Sequence, residues 1–285
     1  MQSIQLVRES EATDERAREA FRDIKVSLRV PLVNLIFQAW AVYPKFLDAT
    51  WRRLRPSVLT AGFAELAGYV GTKVREGIDS WPVSDHAALL RARAVGESDI
   101  VRMREIVELF SQVNPKLAIM ASAVDAALAG TSVGGVGTKG PHREEERERP
   151  KEFRGVRFTL VEERDAPPRV RAIYEDMKTA LGLPFIEAEY RAMASYPDWL
   201  EVWWKDCKPR TEDLAYRRFS DELVAAAAKA ATALPHRLFL SETLLESCDI
   251  DEVRLAELRR VNRYFVRFLP GLLMNIELAR RGLGS

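Results

Sequence analysis

Cysteine is nearly absent from this chain: Cys207 and Cys248 are the only two among 285 residues. Two cysteines cannot build a disulfide framework, and the compartment expected from them is the reducing cytoplasm. Histidine is almost as scarce. His86, His142 and His236 lie far apart. No HExxH, CxxC or paired-carboxylate signature accompanies them, so no metal site is expected. Net charge is missing too. Lys and Arg number 43 against 42 Asp and Glu, which leaves +1, without the basic excess that marks a nucleic-acid-binding face. No apolar run reaches membrane-spanning length, so no membrane partner is expected. The opening residues, MQSIQLVRESEATDERAREAF, lack the apolar stretch of a secretory signal. The glycines at 134, 135 and 137 have no Lys-Ser/Thr after them, and no Gly-x-Ser-x-Gly occurs. Neither a phosphate loop nor a serine elbow is therefore expected.

What is present is a repeat. Phe21-Arg22-Asp23-Ile24-Lys25, Leu28-Arg29-Val30-Pro31, Tyr43-Pro44 and Trp51 stand in the first half. Tyr174-Glu175-Asp176-Met177-Lys178, Leu181-Gly182-Leu183-Pro184, Tyr196-Pro197 and Trp204 stand in the second, each 153 positions later. An ungapped match that keeps aromatics and prolines in step points to duplicated structure. The halves differ where Glu187 and Glu189 replace Asn34 and Ile36.

The pattern along the chain is helical, and the expected fold is all-α, two tandem helical repeats about a pseudo-twofold axis. Apolar residues recur at helical spacing through Leu32, Leu35, Ile36, Ala39 and Trp40, with Pro31 suited to a first helical turn. A further helix ends at Pro56, a long Ala- and Gly-rich one covers 58–78, and another begins near Ser98-Asp99 and is interrupted at Asn114-Pro115. In the second half, acidic Asp249, Asp251 and Glu252 suit the start of a helix that reaches Pro270. These readings divide the chain into an N-terminal repeat over 1–130, a Gly-rich and charged linker over 131–165, and a C-terminal repeat over 166–285. Within the linker, 156–161 alternates weakly and is compatible with an extended stretch.

Three polar residues are candidates for chemistry, each beside a plainer reading. Asn114 before Pro115 is suited to capping a helix, with proline at the first helical position. The same amide could hold a water through both donor and acceptor. Glu187 and Glu189 suit a helix start, where acids face the positive end. Two positions apart they point in different directions, so one can face solvent and the other the seam between the halves.

Together, Asp23-Ile24, Leu28-Arg29-Val30-Pro31, Tyr43-Pro44, Trp51-Arg52-Arg53, Asn114-Pro115-Lys116, Ala192-Met193-Ala194-Ser195-Tyr196-Pro197 and Arg267-Phe268 resemble the group I 2-haloacid dehalogenases, an all-helical family. The landmarks span nearly the whole chain in family order. The resemblance implies cofactor-free hydrolysis of a short 2-halocarboxylic acid to a 2-hydroxycarboxylic acid, by direct water attack with inversion and no ester intermediate. It implies Glu189 as the base and Asn114 as the residue that orients the water, with Glu187 as a second candidate base. Backbone N–H groups near Ala188 would hold the substrate carboxylate. Leu32, Leu35, Val113, Tyr190, Phe265 and Phe268 would line the pocket. Arg267 is either a further anion ligand or a solvated arginine.

The chain departs from the family pattern at several of these positions. Glu189 replaces the family's Asp, Leu32 a Trp, Val113 a Tyr and Phe265 another Tyr. The longer acid moves an attacking water by about an ångström, a displacement that can cost on the order of a hundredfold in rate. Two alternatives therefore stay open: a hydrolase of a non-halogenated small acid on the same scaffold, and a small-acid-binding protein without turnover. A homodimer is compatible with the sequence but not fixed by it.

Overall fold

The computed structural model describes residues 4–135, 155–156 and 158–284. His142 and most of the Gly-rich and charged stretch lie outside the described residues. Helix starts follow local capping chemistry. Asp14 accepts from the backbone N–H of Arg16 at 2.8 Å to open α1 (Glu15–Leu28). Thr60 accepts from Phe63 N–H at 3.1 Å to open α4 (Ala61–Gly77). In each case a side-chain oxygen satisfies a donor that the first helical turn leaves free.

The remaining helices are α2 (Leu35–Trp40), α3 (Pro44–Val58), α5 (His86–Ala92) and α6 (Glu97–Leu128), then α7 (Pro168–Leu181), α8 (Ala188–Met193), α9 (Pro197–Thr211), α10 (Leu214–Thr232), α11 (Glu242–Ser247) and α12 (Glu252–Gly282). The fold is all-α. Among the described residues the one extended pairing outside helices is the antiparallel bridge between Val133 and Leu238. Among the described residues of 156–161 none is in a strand; Val161 N–H instead donates to Arg191 C=O at 3.1 Å.

Helices recur in the same order and with nearly the same lengths. The starts of α1, α2, α3 and α4 precede those of α7, α8, α9 and α10 by 153 residues, and α6 precedes α12 by 155. Local contacts recur with them. Trp51 Nε1 donates to Asp23 at 2.7 Å, and Arg55 pairs with the same carboxylate. Trp204 Nε1 donates to Asp176 at 2.8 Å, and Lys208 pairs with it. Arg29 ends α1 with a φ of 58°, and Gly182 ends α7 with a φ of 65°. Both sit in the left-handed region that closes a helix, where glycine is unstrained and arginine is not.

The two long helices form the centre. α6 packs most extensively on α12, and α10 and α4 pack against both. Four prolines stand inside helices rather than at their ends: Pro56 in α3, Pro209 in α9, Pro115 in α6 and Pro270 in α12. This corrects the helix boundaries read at Pro56, Asn114-Pro115 and Pro270. An interior proline forfeits one hydrogen bond and costs about 3 kcal/mol. Burial of nearly every residue from Val113 to Val124 and from Leu269 to Ala279 offsets that cost. Asn114 accordingly lies inside a continuous helix and caps nothing. Pro31 lies in the turn before α2, not within it. Among the described residues, no helix is long and apolar enough to cross a membrane.

Candidate active site

Two six-residue helices begin at one cavity. Asn34, Leu35 and Ile36 come from the start of α2, and Glu187, Ala188 and Glu189 from the start of α8. Leu117 of α6 and Phe265, Leu269 and Leu272 of α12 complete the lining. The space left free is about 10 Å³, room for about one water molecule.

α8 is held at its start from outside the cavity. Ile186 N–H donates to Glu163 at 2.9 Å, and Arg191 pairs with Glu162 at 2.7 Å. All six residues of α8 are buried. Two carboxylates are thereby carried into the interior: Glu187 is 4% and Glu189 3% exposed. Burial drives the Glu187 carboxyl well above its ordinary value, and the charge of Glu189 drives it further. Arg191 and the Tyr264 hydroxyl, 3.4 Å away, pull weakly the other way. Burial raises Glu189 as well, against its own backbone N–H, the Asn114 amide and Arg191. Both carboxyls are thus pushed toward the neutral form, Glu187 the further of the two.

Asn114 is fully buried in α6 and close enough to Glu189 to favour the charged carboxylate. Its Oδ1 has no partner, and its Nδ2 falls short of full hydrogen-bond geometry though it acts as a donor toward Glu189. A buried amide oxygen without a partner beside an ionisable carboxylate is costly to stability, and such exceptions call for an explanation.

The residues singled out from the sequence separate into two groups. Leu35, Glu187, Ala188, Glu189 and Phe265 meet at the cavity, and Asn114 stands against Glu189. Leu32, Val113, Tyr190 and Phe268 are not among the lining residues. Tyr190 stacks on Trp203 at 5.3 Å, and its hydroxyl accepts from Asn275 Nδ2 at 2.8 Å. Phe268 stacks on Tyr264 at 5.4 Å. Val113 is buried within α6, and Leu32 lies half-buried before α2. Arg267 lies in a separate open cleft.

Sequence reasoning missed Asn34, Ile36, Leu117, Leu269, Leu272 and Tyr264. The repeat offset held the signal for most of them. Asn34 and Ile36 sit 153 residues before Glu187 and Glu189, and Leu269 and Leu272 sit 155 after Asn114 and Leu117.

The all-helical scaffold thus encloses a buried carboxylate beside a buried amide in an otherwise largely apolar surround, an arrangement suited to proton transfer from a small molecule. The family model for "Halocarboxylic acid dehydrogenase DehI" matches residues 31–190, more than half of the chain. The chain is 31% identical to an (R)-2-haloacid dehalogenase of Pseudomonas putida over 265 residues, covering 92% of this chain and 87% of that protein. It is 25% identical to an (R)-2-haloacid dehalogenase of Rhizobium sp. (strain NHG3), covering 82% of this chain and 89% of that one. Its fold is similar to a D-2-haloacid dehalogenase mutant solved with D-2-CPA, with a TM-score of 0.90, 30% identity and coverage of 98% and 96% of the two chains. It is similar also to a D-2-haloacid dehalogenase solved with L-LA, with a TM-score of 0.88, 29% identity and the same coverage. The chain belongs to the DehI-like, group I family of 2-haloacid dehalogenases.

Proposed function

We propose that this protein hydrolyses a short 2-halocarboxylic acid to the 2-hydroxycarboxylic acid by direct attack of water. One observation carries the reading: a buried, ionisable Glu189 stands beside a buried Asn114 whose Nδ2 is turned to that carboxylate and whose Oδ1 has no partner. Asn114 orients the water. Glu189 accepts its proton as the oxygen bonds to the α-carbon. The carbon–halogen bond breaks on the opposite side, the halide leaves with the bonding pair, and the carbon is inverted. A carboxylate raised by burial is a stronger base than one in water, which suits this task.

The lining gives the substrate a direction. Ile36, Leu117, Leu269 and Leu272 form an apolar wall for the alkyl group and halogen. The first N–H groups of α8 and α2, which have no intrahelical partner, favour the substrate carboxylate near Ala188 and Leu35. Burial pushes Glu187 toward its neutral form, which lessens the second negative charge in a cavity that must admit an anion.

The same reading includes tandem repeats over 1–130 and 166–285, joined by 131–165 and related by a pseudo-twofold axis through the cavity. Support comes from the paired lining positions, Asn34 with Glu187, Leu35 with Ala188, Ile36 with Glu189 and Leu117 with Leu272. The Val133–Leu238 bridge ties the beginning of the linker to the second repeat. A small-acid-binding protein without turnover is the second reading, since Glu189 is a longer acid than the resemblance leads one to expect there. Halide release from racemic 2-chloropropionate decides between them. Release that Glu189→Gln abolishes supports the hydrolase, and none from any short 2-haloacid overturns it.

A further inference from the structure

A broad open cleft lies beside the cavity. Its volume is about 650 Å³, and Arg259, Arg260, Arg263 and Arg267 of α12 line it together with Tyr264 of the same helix and Pro184. No carboxylate lines it. Arg259 donates to Leu128 C=O at 2.8 and 2.6 Å, and Arg263 pairs with Asp125 at 3.6 Å. Among the described residues, Arg260 and Arg267 have no acidic partner.

The cleft adjoins the cavity through a single side chain. Tyr264 lines the cleft, and its hydroxyl meets Glu187, which lines the cavity. Pro184 lines the cleft three residues before Glu187 in the same loop. A second opening, near Leu35 on another side, carries charges of both signs: Arg8, Arg164 and Arg191 beside Glu162 and Glu163. Its acids are paired, Glu162 with Arg8 and Arg191, and Glu163 with Lys178. An approaching anion is drawn to the unbalanced cleft, because a concave surface of one sign focuses its field.

We propose that the arginine-lined cleft is an anion-collecting vestibule, which captures small monovalent carboxylates and passes them inward past Tyr264 to the buried cavity. The proposal rests on the dehalogenase reading for the identity of its anion. Capture there acts on arrival: the field of Arg260 and Arg267 raises the association rate and leaves the chemical step to Glu189 and Asn114.

The test measures association and turnover separately. Stopped-flow fluorescence of 2-chloropropionate binding to the Glu189→Gln protein gives the association rate constant at low and at physiological ionic strength. Adding Arg260→Gln and Arg267→Gln should slow association about fivefold or more at low ionic strength, within the range electrostatic steering spans. The difference should shrink as salt is added. Arg260→Lys with Arg267→Lys should restore most of the rate. Arg8→Gln at the second opening should leave it nearly as it was. In the otherwise unaltered enzyme the double glutamine change should appear in kcat/KM for halide release through KM.

An association rate indifferent to Arg260 and Arg267 overturns the proposal. So does an equal loss at all ionic strengths, which marks a packing role. Inhibition by inorganic phosphate far beyond that of acetate at matched ionic strength also overturns it, by assigning the cleft to phosphorylated ligands. If the parent releases no halide, the dehalogenase reading fails, yet the association measurement still decides whether the cleft collects carboxylates.

Discussion

Glu189 and Ile36 are each the second residue of a six-residue helix, and their side chains line the same cavity. The backbone frame around one is met again around the other, 153 residues apart. What differs is a carboxylate facing a branched alkyl group, so the polarity of the cavity comes from substitution on a shared frame.

Glu189→Gln should lower kcat for halide release by about a hundredfold to ten-thousandfold, because the amide cannot take a proton from water. Far-ultraviolet circular dichroism should be unaltered. Glu189→Asp keeps a base and frees space in a tight cavity, and should raise kcat a few-fold. Full activity in the glutamine variant would remove Glu189 from the mechanism and move the role to Glu187.

Asn114→Leu should separate stability from activity. Removing a buried amide whose oxygen has no partner should offset the loss of its contact with Glu189, read as a Tm no lower than the parent's. Halide release should fall by about a hundredfold or more, the scale expected when a reacting water is misplaced. A destabilised variant with normal turnover would contradict both parts.

The buried carboxylates fix the sign of two pH effects. Glu189 must be ionised to act, and burial raises its pKa above the usual 4.5. The acid limb of kcat/KM should therefore lie above the ordinary carboxylate range, with activity lost as pH falls through it. Glu187 binds its proton more tightly folded than unfolded, since its folded pKa is well above 4.5. Its burial costs nothing below the unfolded pKa, and the cost grows as pH rises from there toward the folded pKa. Glu187→Gln should raise Tm at neutral pH, and the gain should disappear near pH 4. Thermal melts of both proteins across that range check the sign.

The two Trp–Asp contacts offer a test of the duplication. Asp23→Asn and Asp176→Asn each leave the indole an acceptor but weaken the bond to it and remove the ion pair to Arg55 or Lys208. Both sites are partly exposed, so each change should cost about 1 kcal/mol. Chemical denaturation should give similar losses at the two sites. A large loss at one and none at the other would show that the recurring contacts have different roles.

The sequence made the helical order legible because its landmarks are local. A proline after an aromatic, a capping acid or an indole in step with a carboxylate states its own geometry. The meeting of Glu189 with Asn114 was legible through family likeness and the exchange of Glu for Ile between the halves. The interior prolines misled, since propensity places Pro115 and Pro270 at helix ends while the burial of α6 and α12 carries the helices through them. Tyr190 misled for a related reason. It follows Glu189 in sequence, but a helix turns its side chain toward Trp203 and Asn275 instead. The arginine cleft depends on the face that α12 turns outward, which the even overall charge of the chain conceals.

A frame used twice need not carry the same polarity twice. Ile36 and Leu269 stand where Glu189 and Asn114 stand in the other half, yet both are apolar. Each half thus supplies one polar and one apolar position: Asn114 with Ile36 from the first, Glu189 with Leu269 from the second. Changes at the apolar pair alter the shape of the cavity and leave the polar pair in place, so shape can drift in either half while polarity is kept.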